Sequence, residues 1–262
     1  MENNKQDLQN GHKEKNKKNM KSLIKTEDYD SLASAEGLRV VYDKTTDLVW
    51  IDTPSFYEFV DLGLPSGTKW ASCNVGATNP EEFGLYFAWG ETQGYSGITS
   101  EKGFYWGDYK YSSGQTSSSS TSFKGLTKYN TNSTSGIVDN LTVLEQVDDA
   151  AYQSDNTCRM PTIDDFQELT ANTKSTWETL NGVKGRRFTS KTNDNSIFVP
   201  AAGHCTNGSV YNDGSYGYFW SSSLNSTYPR HAYYLGFTSS NVYMYNDYDF
   251  RFNGFTVRPV RS

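Results

Sequence analysis

The chain has 262 residues, 35% of them hydrophobic and 15% aromatic, and carries a net charge of −6. The length allows one large or two ordinary domains, and the aromatic rings supply a core that the aliphatic content alone would not. The acidic balance argues against a nucleic-acid backbone as partner, which needs a basic face, and no window reaches the apolar length of a membrane span.

Residues 1–37 are almost wholly polar, with Lys13, Lys15, Lys17 and Lys18 close together. They read as a flexible polar N-terminal arm, because they bury too little to offset ordering. No apolar region follows the charged start, so no secretory signal is expected. The protein is then expected in the cytoplasm until release, and at a cell surface or virion only if carried there by an assembly. Residues 38–58 begin LRVVYDKTTDLVWID, two β-branched or aromatic runs around Asp43–Asp47, with Pro54 as the stop. That pattern predicts a β-hairpin or attachment segment.

From Val60, the turn residues Gly63, Pro65 and Gly67 separate short apolar strands. Asn79-Pro80-Glu81-Glu82 predicts a turn before the aromatic group Phe83, Tyr86, Phe87 and Trp89. Residues 94–136, which include Ser117–Ser120, read as a long surface insertion tied down by Tyr105 and Trp106. Two helices are expected. Asn140–Tyr152 places Leu141, Leu144 and Val147 near helical spacing. A second helix begins after Pro161, with Thr162 as N-cap, Asp165 three residues on, and Phe166 and Leu169 facing the core. Strand patterns follow Gly182: Arg187–Thr189, Ser196–Pro200, Tyr218–Ser221, Ala232–Phe237, Asn241–Tyr245 and Phe255–Val260. The expected class is α+β, with short antiparallel sheets, two short helices and extensive loops.

The block from Phe198 onward is rich in Tyr, Ser, Asn and Gly. Nine of the 19 tyrosines lie between Tyr211 and Tyr248, and no Lys, Glu or Gln follows Lys191. Tyr gives rigid contact area and the small residues give adaptable hydrogen bonding, which is the composition of a binding surface.

The motifs VDLGLPSGTKWASCNVGA, PEEFGLYFAWGET, VDNLTVLEQVDDAA, RMPTIDDFQEL, NSIFVPAAG, GSYGYFWSSS and GFTVRPVR, in that order, resemble the Fibrobacter succinogenes major paralogous domain. The resemblance covers residues 59–262 and implies a C-type-lectin-like ligand-binding domain, related in fold to formylglycine-generating enzymes. The closing block, from WSSS to GFTVRPV, resembles the variable proteins of diversity-generating retroelements of Bacteroides or their phages. There, adenine-directed mutagenesis rewrites codons near the gene's 3′ end. Between Ser221 and Asn253 only Met244 lies outside the residues that mutated AAC and AAT codons can encode. These resemblances imply a receptor-binding or adhesion protein without a cofactor, facing a protein or glycan ligand on a cell surface. Residues 1–58 would attach it to a virion or surface assembly. An undiversified surface or structural paralogue is the alternative, and an oxidase of the formylglycine-generating type a weaker one.

Strand alternation divides the block. Val242 and Met244 suit a core, which puts Asn241, Tyr243 and Tyr245 on the displayed face. Asn246, Asp247, Tyr248 and Asp249 read as a loop, followed by Arg251 and Asn253 alternating with Phe250 and Phe252. Upstream, the loop 224–231 offers Asn225, Tyr228, Arg230 and His231. These thirteen side chains are the expected ligand-binding set, each with exposed polar surface as its plain alternative. Trp220, Phe255 and Val257 are expected in the scaffold.

Catalytic chemistry finds little support. His12, His204 and His231 lack partners at metal-ligand spacing, and no phosphate loop or nucleophile elbow occurs. Adjacent His204 and Cys205 would point to opposite faces of a strand. Cys73, Cys158 and Cys205 are far apart and read as semi-buried free thiols, and Cys205 has no neighbour to complete a copper site of the related oxidases. Asn79-Pro80-Glu81 and Trp220-Ser221-Ser222 stand where calcium-dependent lectins carry other motifs, so no calcium or other metal site is expected. Asp194-Asn195 and Asn212-Asp213 read as turns.

Overall fold

A computed structural model describes residues 23–24, 39–43, 48–52, 57–97, 102–113, 125–243 and 248–262. The chain divides into two units, Met1–Phe56 with Ser154–Asn156, and Tyr57–Gln153 with Thr157–Ser262.

In the first unit, strands β1 (Leu23–Ile24), β2 (Arg39–Asp43) and β3 (Leu48–Asp52) form a sheet in the order β1-β3-β2. The predicted hairpin is present, antiparallel from Arg39↔Asp52 to Asp43↔Leu48. Within the arm, Leu23–Ile24 pairs with Trp50 and Val49. The remainder of residues 1–37, the hairpin turn and Pro54 lie outside the described residues.

The second unit starts at Tyr57, two residues before the predicted boundary. Its first and last strands share one sheet. In it, β5 (Lys69–Ala71) lies between β4 (Phe59–Val60) and β17 (Val260–Arg261), with Val260 opposite Trp70. Between them come β6 (Tyr86–Phe87), the helices α1 (Ala150–Ser154) and α2 (Ile163–Asn172), and the meander β7 (Thr173–Leu180), β8 (Val183–Ser190) and β9 (Ser196–Pro200). The hairpin β10 (His204–Thr206)–β11 (Ser209–Tyr211) follows. Strands β12 (Gly217–Leu224), β13 (His231–Phe237), β14 (Val242–Tyr243), β15 (Tyr248–Phe250) and β16 (Phe255–Thr256) complete the unit. The central sheet runs β14-β13-β12-β16-β6, and β15 also pairs with β13. All of its pairings are antiparallel except the parallel contact of β12 with β16. The α+β class with short, mostly antiparallel sheets is therefore as expected.

β12 explains why there are two cores. Successive side chains of a strand point to opposite faces, so Phe219 and Trp220 enter different clusters. Phe219 joins Trp70, Phe166, Phe188, Leu235 and Phe237. Trp220 joins Trp89, Tyr129, Phe255 and Val257. Trp220, Phe255 and Val257 are all fully buried, the scaffold positions expected of them.

The helix α2 begins as its sequence predicts. The Thr162 hydroxyl accepts from the Asp165 amide at 3.2 Å, and the Asp165 carboxylate accepts from the Thr162 amide at 2.7 Å. Arg159 adds an ion pair to Asp165 at 2.6 Å. Phe166 and Leu169 are buried, with Phe166 against the Trp70 ring at 5.5 Å.

Four expectations are corrected. Asn140–Tyr152 is not one helix. Leu144 donates to the Ser222 carbonyl, and Leu224 donates to the Thr142 carbonyl, so 142–144 lies extended along the end of β12. Asn140 has φ +58°, a single 3-10 turn covers Gln146–Asp148, and only α1 is helical. Leu144 is buried while Val147 is 65% exposed, because helical spacing does not describe their positions.

The region 94–136 is not merely surface. Its described residues have little regular structure, yet Phe104, Trp106, Tyr109, Tyr111, Leu126 and Tyr129 are core residues. Trp106 anchors it, whereas Tyr105 is 41% exposed. Ser117–Ser120 lies outside the described residues. Phe255–Val260 is two short strands, interrupted where Val257 and Pro259 carbonyls accept from Val75 and Ala71. Finally, Tyr248–Phe250 is strand β15 and not loop, because Ala232 and Asp249 pair across it.

Candidate functional site

The candidate site is built on β12 and β13, which run antiparallel from Gly217↔Phe237 to Trp220↔Tyr234. One face of this pair enters the core around Phe219 and Phe237. The opposite face carries a row of rings that grades from interior to solvent. Trp220 stacks on Phe255 at 4.0 Å, and Phe255 meets Tyr218 at 5.1 Å. Tyr218 then contacts Tyr234 at 5.6 Å and stacks on Tyr216 at 5.9 Å with planes 9° apart. His204 fits against Tyr218 at 4.9 Å and stacks on Tyr211 at 5.8 Å. Tyr218 and Tyr234 are half-buried, whereas Tyr211, Tyr216 and Tyr243 are exposed.

One glycine makes room on the core face of the pair and another on the face of the row. A Cβ on Gly217 would meet the Phe237 ring at 2.2 Å, and one on Gly236 would meet the Tyr234 ring at 2.8 Å. Each glycine thus leaves room for a ring above it, Phe237 from across the strand pair over Gly217 and Tyr234 from the same strand over Gly236. Tyr243 stands opposite Gly236 in register.

Beside this row lies an open cleft of ≈ 520 Å³ between the β7–β8 hairpin and the 238–243 segment. Trp177 and Lys184 line it from the hairpin, and Gly214, Ser215 and Tyr216 from the loop after β11. Thr238, Ser239, Ser240, Asn241 and Tyr243 close it. Buried Arg186 holds the last segment, donating to the Thr238 carbonyl at 2.8 Å and the Ser239 carbonyl at 3.1 Å.

The predicted ligand set separates into three groups. Asn241 and Tyr243 are exposed and meet at the cleft, as strand alternation placed them, with Val242 packed inward. Tyr228 is 49% exposed, and Arg230, His231 and Asp249 are half-buried nearer the other end of β13. There the Tyr228 and His231 rings lie 6.4 Å apart, and His231 packs on Phe250 at 4.4 Å.

Asn225, Arg251 and Asn253 are corrections, since all three are buried. The Asn225 side-chain Oδ1 accepts from the Thr227 and Tyr228 amides and so shapes its own loop. The Arg251 guanidinium donates to the Tyr109 hydroxyl and to the carbonyls of Tyr129, Pro229 and Lys128. It lies 4.7 Å from the Trp89 ring. Asn253 donates to Asp249 at 3.0 Å. Tyr245, Asn246 and Asp247, with Met244, lie outside the described residues, and Tyr248 is placed only as the first residue of β15.

Trp177, Lys184, Tyr211, Tyr216, Tyr218 and Tyr234 were missed by strand reasoning confined to 225–253. The hairpin signal for Trp177 was available. Asn181-Gly182 between two polar-apolar runs marks a two-residue turn, and these residues have φ of +47° and +87°.

Titrating groups here are shaped by burial. The Asp249 carboxyl is pushed up to about 6, chiefly by burial, against hydrogen bonds from Phe250 and Asn253. Burial, with the Arg230 charge beside it, pushes His231 down to about 4. Burial also pushes the Cys205 thiol up to about 12, so it stays protonated and is a poor nucleophile at neutral pH. Cys73, Cys158 and Cys205 are buried thiols outside any disulfide. Asp194 and Asn212 take positive φ in turns. Among the described residues no cluster of three His, Cys, Asp or Glu could hold a metal ion, and no helix is long and apolar enough to cross a membrane.

A family described as a domain of unknown function (DUF8237) matches residues 168–260, from within α2 to the start of β17. The match includes the hairpin, the aromatic row and the cleft. No curated protein and no solved structure matches the chain.

Proposed function

We propose that this chain is a non-enzymatic ligand-binding protein, a receptor-binding or adhesion component that displays a Tyr-, Ser- and Asn-rich surface on a C-type-lectin-like scaffold. The observation that carries the reading is the graded aromatic row. Rings anchored on Trp220 and Phe255 emerge as exposed Tyr211, Tyr216 and Tyr243 beside an open cleft. Rigid aromatic contact area with adaptable polar neighbours is how binding surfaces gain affinity at low entropic cost. Residues 1–58 serve as the attachment segment in the same reading.

The test is binding of the full chain to a panel of bacterial cells and to a glycan array, beside the double variant Tyr216→Ala/Tyr243→Ala. Truncating a hot-spot side chain costs about 2 kcal/mol or more, so the variant is expected to lose at least about tenfold in binding while its melting temperature is held. Binding by the variant equal to that of the wild type contradicts the proposal.

We read the exposed part of this block as the diversified part. A near-copy of the gene's 3′ end beside a reverse transcriptase gene, with adenines at the codons of exposed residues, is the expected genomic sign. A second reading, an undiversified paralogue, is favoured by one observation: Asn225, Arg251 and Asn253 serve the scaffold. Absence of the near-copy would select it.

A further inference from the structure

The cleft beside β14 has a chemistry narrower than "ligand binding". Its volume of ≈ 520 Å³ falls in the range of about 300–1,000 Å³ that small-molecule sites occupy. Three rings form its walls, and each is held in place by a different contact. Trp177 packs edge-on against buried Phe237 at 6.4 Å, Tyr216 stacks on Tyr218, and Tyr243 is fixed by strand pairing with Gly236. Between the rings the lining is neutral and hydrogen-bonding: Ser215, Ser239, Ser240 and Asn241. Ring faces beside hydroxyl and amide groups suit a pyranose, which offers one C–H face and a rim of hydroxyls.

The charge of the cleft is the second observation. Among the described residues Lys184 is the only charged one that lines it, and it makes no ion pair there. Arg186 lies beneath the 238–240 segment and donates to uncharged groups, the Thr238 and Ser239 carbonyls and Ser175. Among the described residues, a chain of net charge −6 therefore lines this place with one cation, Lys184, and no carboxylate, with Arg186 buried behind the segment. We infer that the cleft binds a carboxylate-bearing saccharide, its sugar ring against Tyr216, Tyr243 and Trp177 and its carboxylate on Lys184. The inference rests on the ligand-binding reading above and specifies its ligand class.

The experiment uses the full chain on an array of uronate- and sialate-bearing oligosaccharides, each beside its neutral counterpart. Wild type is expected to prefer the acidic member by about fivefold, the scale of an exposed ion pair, and 0.5 M NaCl should erase the preference. Lys184→Gln should equalise each pair without weakening the neutral member, and Tyr243→Ser should weaken both at unchanged melting temperature. Equal binding of acidic and neutral members by wild type, or a preference that survives Lys184→Gln, overturns the inference. Binding to cells that depends on Tyr216 and Tyr243, with no saccharide bound, also overturns it and leaves the ligand-binding reading standing. Loss of both removes both.

Discussion

Arg186, Arg251 and Arg258 are buried with their guanidinium groups turned chiefly to main-chain carbonyls. Each fork ties together segments distant in sequence; Arg258, for example, bonds Asn74, Ala71 and Phe198. Arg251 does the same for 128–129, Tyr109 and Pro229. Its removal would leave several buried acceptors unsatisfied, at about 1–3 kcal/mol each. Arg251→Ala is therefore expected to cost at least about 3 kcal/mol in urea unfolding, and Arg251→Lys to recover only part, because an ammonium lacks the planar fork. Wild-type stability in Arg251→Ala would mean the residue is displayed after all.

Asp249 gives a pH signature at the same scale. Its folded carboxyl titrates near 6, above its ordinary value of 3.8, because burial disfavours the charge. Below about pH 4 both folded and unfolded forms are protonated and no cost arises. Between about 4 and 6 the folded form holds the proton more tightly, so stability falls as pH rises, and above 6 the full cost is present. That cost is on the order of 2–3 kcal/mol. Asp249→Asn is expected to stabilise the protein at pH 7 and to flatten the difference profile across this window. A stability difference independent of pH would contradict this assignment.

At the scale of elements, legibility followed the kind of signal. The N-terminus of α2 was readable because a capping box is local: Thr162, Asp165 and the two apolar residues behind them fix it. Thr162→Ala is expected to cost about 1 kcal/mol, as N-cap losses do, and would be read as a shift in the thermal midpoint. The region 140–152 misled because Leu141, Leu144 and Val147 have helical spacing, while the decisive bonds go to β12, some eighty residues away. Arg251 and Asn253 misled differently. Alternation with Phe250 and Phe252 places them on an outer face, yet the loops that carry Lys128, Tyr129 and Pro229 cover Arg251, and Asn253 turns back to Asp249. Non-local cover of this kind has no sequence period. Tyr243 and Asn241 were legible because β14 is an edge strand with one face left open.

For the whole second unit, scaffold and display are different sets of residues within one Tyr-rich block. Composition announced a binding surface, but it could not say that Trp220, Tyr218 and Tyr216 form successive depths of one row, or that Trp177 and Lys184 face its end. Those facts depend on β7–β8 lying beside the 238–243 segment, which no local pattern encodes. The division between scaffold and display is the central claim, and a saturation substitution scan over residues 211–253, read by protease resistance of the folded full-length chain, tests it most directly. Positions Tyr211, Tyr216, Tyr228, Ser239, Ser240, Asn241 and Tyr243 are expected to accept most side chains, while Trp220, Asn225, Arg251 and Asn253 accept few. Protease sensitivity at the exposed tyrosines, or free exchange at Arg251 and Asn225, would contradict it.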